Sequence, residues 1–341
     1  MTATLPERTA PTPGATTVAA LGWGSYLPER LIDNAEVAAP AGVDAAWVER
    51  KTGILSRRRA ADDEASSDLA LAAARSALAA AGISPRDLGV IVLATSTPDH
   101  PQPPTAALVQ HRLGADRAAA FDLNAVCSGF VFALGVARDM AAARGGYALV
   151  IGVDVYSRIL DPADRRTAVL FGDGAGAAVL GPPSGPDAGR RGIRAVRLIT
   201  AGGDSDLIGV PAGGSRVPAS EESVRAGAHW FAMDGRGVKE FVASHVPGAL
   251  AEFLADHDVT PGCVRHLVTH QANGRMMEDL YPRLGLPAAQ VHQTVHRYGN
   301  TGSASIPVTL AEAAPHIAPG ETVLLATFGG GMAMGFALLD F

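Results

Sequence analysis

Cysteine, aromatic residues and charge are all scarce in this chain. Its 341 residues include two cysteines, Cys127 and Cys263, 136 positions apart. That is too few for a disulfide framework, and in an α/β enzyme they read as free thiols. Charged residues make up 18% and aromatic residues 5%, and the net charge is −6. Basic residues cluster only at Arg57-Arg58-Arg59, Arg165-Arg166 and Arg190-Arg191, which argues against nucleic-acid binding. No apolar run reads as long enough to span a bilayer, and residues 1–17 lack the apolar core of a signal peptide. No membrane partner, metal or resident cofactor is expected, and the expected location is cytoplasmic.

What is present suits a large α/β core. Hydrophobic residues make up 48% of the chain, enough for two ordinary domains. Runs such as Val90–Thr95, Tyr147–Val153 and Thr322–Thr327 are continuously apolar, as strands covered on both faces should be. Ser66-Ser67-Asp68 and Gly82 bracket a helix over Ser67–Ala81. The chain also echoes itself. Ile83-Ser84-Pro85 leading to Leu93 reads against Val259-Thr260-Pro261 leading to Thr269, Arg112-Leu113-Gly114 against Arg283-Leu284-Gly285, and Phe171-Gly172-Asp173-Gly174 against Phe328-Gly329-Gly330-Gly331. Two copies of one α/β unit are the simplest account, with chance similarity of short strands as the other. The expected architecture is a layered α/β/α/β/α fold with its site where the halves meet. Residues 1–17 are expected to form a flexible arm, 18–185 one half and 186–341 the other, divided in the loop Pro182 to Gly192.

Three residues carry candidate chemistry. Cys127 stands where the strand-like run Ala118–Leu123 gives way to Ser128-Gly129-Phe130 and a helix, whose N-terminus is expected to lower the thiol pKa toward neutrality. The competing reading is a buried structural cysteine. His270, in His270-Gln271-Ala272-Asn273, follows the strand Val264–Thr269 and is either a base or a satisfied core residue. Asn300, in Tyr298-Gly299-Asn300-Thr301-Gly302-Ser303, opens a helix to about Ala314 and is either catalytic or a cap. Together they suit carbon–carbon bond formation. The cysteine holds an acyl group as a thioester, while a neutral histidine and an asparagine each donate a hydrogen bond to a carbonyl that becomes an enolate. Cys263, in a turn before a strand, reads as structural. Gly172-Asp173-Gly174-Ala175-Gly176-Ala177 fits a loose dinucleotide-binding pattern, but a strand follows where a helix is needed. The Asp173 turn is read as packing beneath the nucleophile loop.

With these residues stand Gly22-Trp23-Gly24-Ser25-Tyr26-Leu27-Pro28, Thr52-Gly53-Ile54, Asp122 through Phe130, and the glycine segments at Phe171 and Phe328. In this order they resemble the β-ketoacyl-acyl-carrier-protein synthase III family of thiolase-like condensing enzymes, in a secondary-metabolism form. The resemblance implies a duplicated five-layered fold, a homodimer, and coenzyme A thioester and carrier protein as substrates rather than cofactors. By resemblance, Cys127 accepts an acyl group from acyl-coenzyme A, with its own N–H and that of Gly330 as the oxyanion hole. His270 and Asn300 then bind the thioester carbonyl of malonyl-acyl carrier protein as it loses carbon dioxide, and the enolate attacks to give a 3-oxoacyl-acyl carrier protein. Trp47 and Arg165 would sandwich adenine; Thr52, Met233, Gly235, Ala272 and Asn273 would line the pantetheine path; Arg275 would meet the acidic carrier; Phe171 would border the substrate.

Several positions depart from that pattern. Lys51 stands for a family arginine and Glu240 for a family lysine, so carrier docking is expected to be weaker or redirected. Gln102, in His100-Pro101-Gln102-Pro103-Pro104, holds the place of a phenylalanine that walls the acyl pocket across the dimer, and Tyr156 replaces a smaller aliphatic residue. Both add polar groups, so a larger or polar starter than acetyl is expected if they line the pocket; otherwise Gln102 points to solvent. The competing functions are acyl transfer to an alcohol or amine, for which Asn300 has less use, and a non-catalytic binding subunit, which the presence of all three residues opposes.

Overall fold

The computed structural model describes residues 17–185, 188–189 and 191–341. All but the last residue of the expected N-terminal arm lies outside them.

Ten strands form two sheets. The first contains β1 (Ala19–Tyr26), β2 (Leu88–Ala94), β3 (Ala119–Leu123), β4 (Tyr147–Asp154) and β5 (Gly174–Gly181), in the spatial order β1-β5-β4-β2-β3. The second contains β6 (Gly192–Thr200), β7 (Val264–Thr269), β8 (Gln290–His292), β9 (Thr322–Gly329) and β10 (Ala333–Asp340), in the order β6-β10-β9-β7-β8. The second order repeats the first, and so do the directions: two antiparallel pairings, then two parallel ones. This is the duplication that the sequence echoes anticipate.

Six helices complete the layers: α1 (Ser66–Ala81), α2 (Thr105–Leu113), α3 (Gly129–Arg144), α4 (Gly235–Asp256), α5 (Gly274–Leu280) and α6 (Ser305–Ala313). Strand side chains alternate between two apolar layers. On β2, Val90, Val92 and Ala94 join a central cluster with Phe130, Val131 and Leu134 of α3 and Ile306 and Leu310 of α6. Ile91 and Leu93 turn outward onto Leu69, Ala73 and Ala77 of α1. On β9, Val323 and Leu325 point inward, while Leu324 and Ala326 meet Val242, Val246 and Phe253 of α4. Helices α3 and α6 thus lie between the sheets and the remaining four outside, giving five layers. Each large aliphatic side chain buried this way contributes roughly 1.5–3 kcal/mol.

Local details follow from side-chain chemistry. Helix α1 begins at Ser66, with Ala65 as its cap residue; Ala65 has no capping side chain, so Asp68 accepts from the Ala65 N–H at 2.8 Å and Asp99 from the Ser67 N–H at 2.8 Å. Helix α2 follows Pro104, and Asp122 of β3 supplies its cap by accepting the Thr105 and Ala106 N–H groups at 2.7 Å each. A Cβ on Gly24 would stand 2.3 Å from the Ala77 backbone nitrogen, which explains the small residues flanking Trp23: helix α1 lies directly on β1. One expectation needs correction. Val126–Arg144 is long and apolar enough, by length and composition, to cross a bilayer. It is the core helix α3 with its lead-in turn, and its apolar side chains are spent on the two sheets.

Candidate active site

The chain between β3 and α3 makes one 3-10 turn, Val126–Ser128. Val126 adopts φ 50°, a left-handed conformation that a β-branched residue takes only when its surroundings impose it. Cys127 is thereby held just before the first turn of α3. The facing loop, between β9 and β10, has the same character, with Met332 at φ 39°. A Cβ at Gly329 would lie 2.7 Å from the Cys127 Cβ and 3.0 Å from its nitrogen, so only glycine lets the two loops meet. Thr327 Oγ1 donates to the Cys127 carbonyl at 3.1 Å, and Ser128 Oγ to the Ala333 carbonyl at 2.9 Å. Gly330 follows in this loop, next to Val126.

Cys127 is 6% exposed. Burial pushes its thiol up to about 12, and the nearby Asp154 carboxylate adds to the rise. The expected lowering toward neutrality is therefore overturned: desolvation of the thiolate outweighs what the helix start offers. Cys263 is exposed, in the short turn before β7.

His270 directly follows β7, its N–H donating to the Ala326 carbonyl at 2.9 Å, and its ring meets Phe328 edge-on with centroids 5.6 Å apart. Ser305 Oγ accepts the Gln271 N–H at 3.3 Å and lies 2.8 Å from His270 Nδ1. With the serine proton given to Nδ1, the ring proton stands on Nε2, the tautomer that leaves a donor for substrate. Burial pushes the His270 pKa down to about 3. This imidazole is a neutral donor rather than a base. Asn300 is fixed in a complementary way. Its backbone N–H donates to the Leu170 carbonyl at 2.9 Å, its carbonyl accepts from Gly172, and its Oδ1 accepts the Gly302 N–H at 2.9 Å. With Oδ1 engaged, the amide NH₂ is the group left to donate. The segment after it packs on the nucleophile turn, since a Cβ at Gly129 would sit 3.5 Å from that of Ser303.

Asn300 also lines a cavity of about 290 Å³ that opens to the surface. Trp47, Thr52, Arg165, Met233, Gly235, Ala272, Asn273 and Arg275 line it too, so these sequence-singled residues share one tunnel. Trp47 stands in the first turn of helix Ala45–Thr52, capped by Asp44. Asn273 caps α5, accepting the Arg275 and Met276 N–H groups at 2.9 and 3.2 Å. Lys51 and Arg165 stand exposed at the mouth. Three other positions do not line the tunnel. Gln102 is exposed on the loop before α2, away from the tunnel of its own chain. Tyr156 and Phe171 are buried in an aromatic cluster with Phe231; ring centroids are 4.3 Å (Tyr156–Phe171), 5.4 Å (Tyr156–Phe231) and 5.1 Å (Phe171–Phe231) apart. Phe171 bridges to Asn300 through the backbone.

Sequence reasoning missed Asp154. Its Oδ1 accepts the Ser96 N–H and its Oδ2 the Ser303 N–H, both at 2.7 Å, tying the ends of β2 and β4 to the asparagine loop. Burial raises its pKa to about 6. The role expected of Asp173 falls to this residue instead, because Asp173 anchors Ala60 at 2.9 Å and the Ser157 hydroxyl at 2.6 Å. Ser305 and Phe231 were also missed; neither has a local signal.

A duplicated five-layer fold that brings a cysteine, a neutral histidine and an asparagine to the junction of its sheets defines a thiolase-like condensing enzyme. The family descriptions "3-oxoacyl-[acyl-carrier-protein] synthase III" and its C-terminal part match residues 121–202 and 254–341. An acetoacetyl-CoA synthase (NphT7) from Streptomyces sp. strain CL190 is 58% identical over 94% of this chain and 97% of its own. A β-ketoacyl-[acyl-carrier-protein] synthase III from Symbiobacterium thermophilum is 44% identical over 92% and 95%. Among solved structures, the priming β-ketosynthase of the R1128 polyketide biosynthetic pathway superposes with a TM-score of 0.87 at 34% identity, covering 98% of this chain and 99% of that one. The 3-oxoacyl-(acyl carrier protein) synthase III of Pseudomonas aeruginosa PAO1 gives 0.85 at 37%, covering 95% and 98%. The chain belongs to the 3-oxoacyl-[acyl-carrier-protein] synthase III family and is a condensing enzyme of that kind.

Proposed function

We propose that this protein takes an acetyl group from acetyl-coenzyme A onto Cys127 and condenses it, with loss of carbon dioxide, with a malonyl group carried on coenzyme A, releasing acetoacetyl-coenzyme A. The acetyl group bonds to Cys127 sulfur as the coenzyme A thiol leaves with the proton. His270 Nε2–H and the Asn300 amide then donate to the malonyl thioester carbonyl. As the carboxylate departs as carbon dioxide, its bonding pair becomes the enolate, whose carbon attacks the acetyl carbonyl and expels Cys127. Two neutral donors suit this step, because they strengthen as charge develops on the oxygen.

The observation that carries the choice of carrier is the charge around the tunnel mouth. Arg275 is paired with Glu278 at 2.9–3.0 Å and Lys239 with Asp279 at 2.6 Å, and Glu240, the residue after Lys239 in α4, is exposed. With Arg275 and Lys239 each neutralised by a carboxylate, this side of the mouth offers an acidic carrier protein less attraction than free cations would. Among the described residues, Lys51 and Arg165 remain free at the mouth for coenzyme A. The likeness to an acetoacetyl-CoA synthase supports the same reading. The starter is inferred from the aromatic cluster: Tyr156, a neighbour of Cys127, is packed with Phe171 and Phe231, each at most 5% exposed, and such bulk near the sulfur favours a small acyl group. This reading favours a small starter over the larger or polar one anticipated from Gln102 and Tyr156.

The test is to load the enzyme with acetyl-coenzyme A, confirm the adduct by intact mass, and offer malonyl-coenzyme A, malonyl-acyl carrier protein, or alcohol and amine acceptors at equal concentration. Faster product formation from malonyl-coenzyme A, by about tenfold or more, is expected. Equal or faster use of the carrier protein would overturn the choice of carrier, and transfer to an alcohol or amine would overturn the condensation.

A further inference from the structure

Among the described residues, four buried side-chain polar atoms have no hydrogen-bond partner: Nε of Arg57, Nε of Arg58, Oγ of Ser96 and Oη of Tyr156. The two hydroxyls are neighbours of each other, and Tyr156 faces Cys127. Orphaned buried hydroxyls destabilise a fold, so their presence calls for a compensating role. The Tyr156 ring cannot turn away to find a partner. It is fully buried, stacks on Phe171, meets the edge of Phe231, and abuts Gly302, where a Cβ would fall 2.6 Å from it. Its hydroxyl direction is therefore set by the core. Ser96 is fixed as well, through its N–H to Asp154.

A second problem meets the first at the same point. The nucleophile sits in a buried site whose other ionisable groups do nothing to favour a thiolate: Asp154 opposes negative charge, and His270 stays neutral. Together with a backbone N–H at the turn, the hydroxyl beside the sulfur favours the charged form, and burial keeps Tyr156 protonated, well above the usual tyrosine range, so it remains a donor.

We propose that Tyr156 is a catalytic residue, whose hydroxyl donates a hydrogen bond to the Cys127 sulfur as it becomes a thiolate, with Ser96 Oγ–H donating in turn to Tyr156 Oη. This rests on Cys127 being the nucleophile, not on the choice of starter or carrier. In the acetyl-transfer step the new bond is sulfur to acetyl carbon, the broken bond is acetyl carbon to coenzyme A sulfur, and the thiol proton leaves on the coenzyme A thiol. The Tyr156 hydrogen bond is strongest while the Cys127 sulfur carries charge and weakens once it is a thioester. It thus acts on the transition state rather than the product.

The experiment is the rate of alkylation of Cys127 by iodoacetamide across pH in the whole protein, followed by peptide mass mapping, for wild type, Tyr156→Phe and Ser96→Ala. Tyr156→Phe keeps the ring and its stacking. The apparent thiol pKa should rise by about one unit, a tenfold slower reaction at any pH below it, with Ser96→Ala shifting it less and in the same direction. Acetylation by acetyl-coenzyme A should slow by about tenfold in Tyr156→Phe. An unchanged alkylation pKa in Tyr156→Phe would overturn the proposal, as would a loss that persists above the thiol pKa, where both proteins are fully thiolate and only packing or access could slow the reaction. Because alkylation needs neither acyl donor nor extender, this result is independent of the proposed substrates.

Discussion

The two halves of the molecule share one topology and place different chemistry at matching points. After the third strand of the first sheet the chain turns into a central helix at Cys127; after the matching strand, β8, it turns into the other central helix near Asn300. Directly after β2 stands Thr95, whose hydroxyl lies 3.3 Å from Asp154; directly after β7 stands His270. The fourth strand of the first sheet ends on Asp154 and its counterpart, β9, on Gly329, which lies against the cysteine. One half thus offers a nucleophile over a buried carboxylate, and the other two neutral donors over a glycine loop. The backbone duplicated, while the residues at the strand ends diverged, consistent with sites residing in side chains grafted on a fold.

That division can be broken by substitution. Cys127→Ala is expected to abolish the acyl-enzyme, read by intact mass after acetyl-coenzyme A, while the exposed Cys263→Ala retains it. An adduct surviving in Cys127→Ala and mapping to Cys263 would remove the nucleophile from the first half. Asn300→Ala is a smaller and more selective lesion. The amide is needed only when the malonyl carbonyl gains charge, so condensation should fall by about 10²–10³-fold, as for loss of one oxyanion donor. Acylation of Cys127 should persist. Equal loss of both half-reactions would mean that the halves do not divide the chemistry as proposed.

The sequence made part of this division legible. The strand, glycine and helix pattern around Cys127 is local, and so is the run from β7 into His270; period and turn chemistry suffice to find them. The internal echoes pointed to the repeat, although the repeated strand order became visible only in the sheets. Asp154 could not be found the same way, because its partners Ser96 and Ser303 come from 58 and 149 positions away. Ser305 reaches His270 across 35 positions. The sign of the Cys127 shift failed for a related reason. A helix start is a local feature, whereas desolvation depends on everything that covers the thiol.

The smallest expected effect sharpens the comparison by setting one buried group from each half against the other. His270 has its pKa lowered by burial from 6.5 to about 3. From pH 6.5 downward the unfolded chain binds a proton that the folded one does not, so this group's contribution to stability, complete above 6.5, is lost as pH falls toward 3. Asp154 has its pKa raised by burial from 3.8 to about 6. Here the folded chain holds the extra proton, so the contribution is complete below 3.8 and lost as pH rises through 6. Between about pH 4 and 6 the two slopes oppose, each about 1.4 kcal/mol per pH unit, and nearly cancel. His270→Gln should therefore tilt the stability curve so that it falls with rising pH relative to wild type, and Asp154→Asn should tilt it the other way. Urea unfolding at three pH values across that window measures both tilts. Parallel curves for all three proteins would mean that neither group is held in the protonation state its burial implies. Since His270 is proposed to act as a neutral donor, a missing tilt in His270→Gln would also undercut that part of its role toward the enolate.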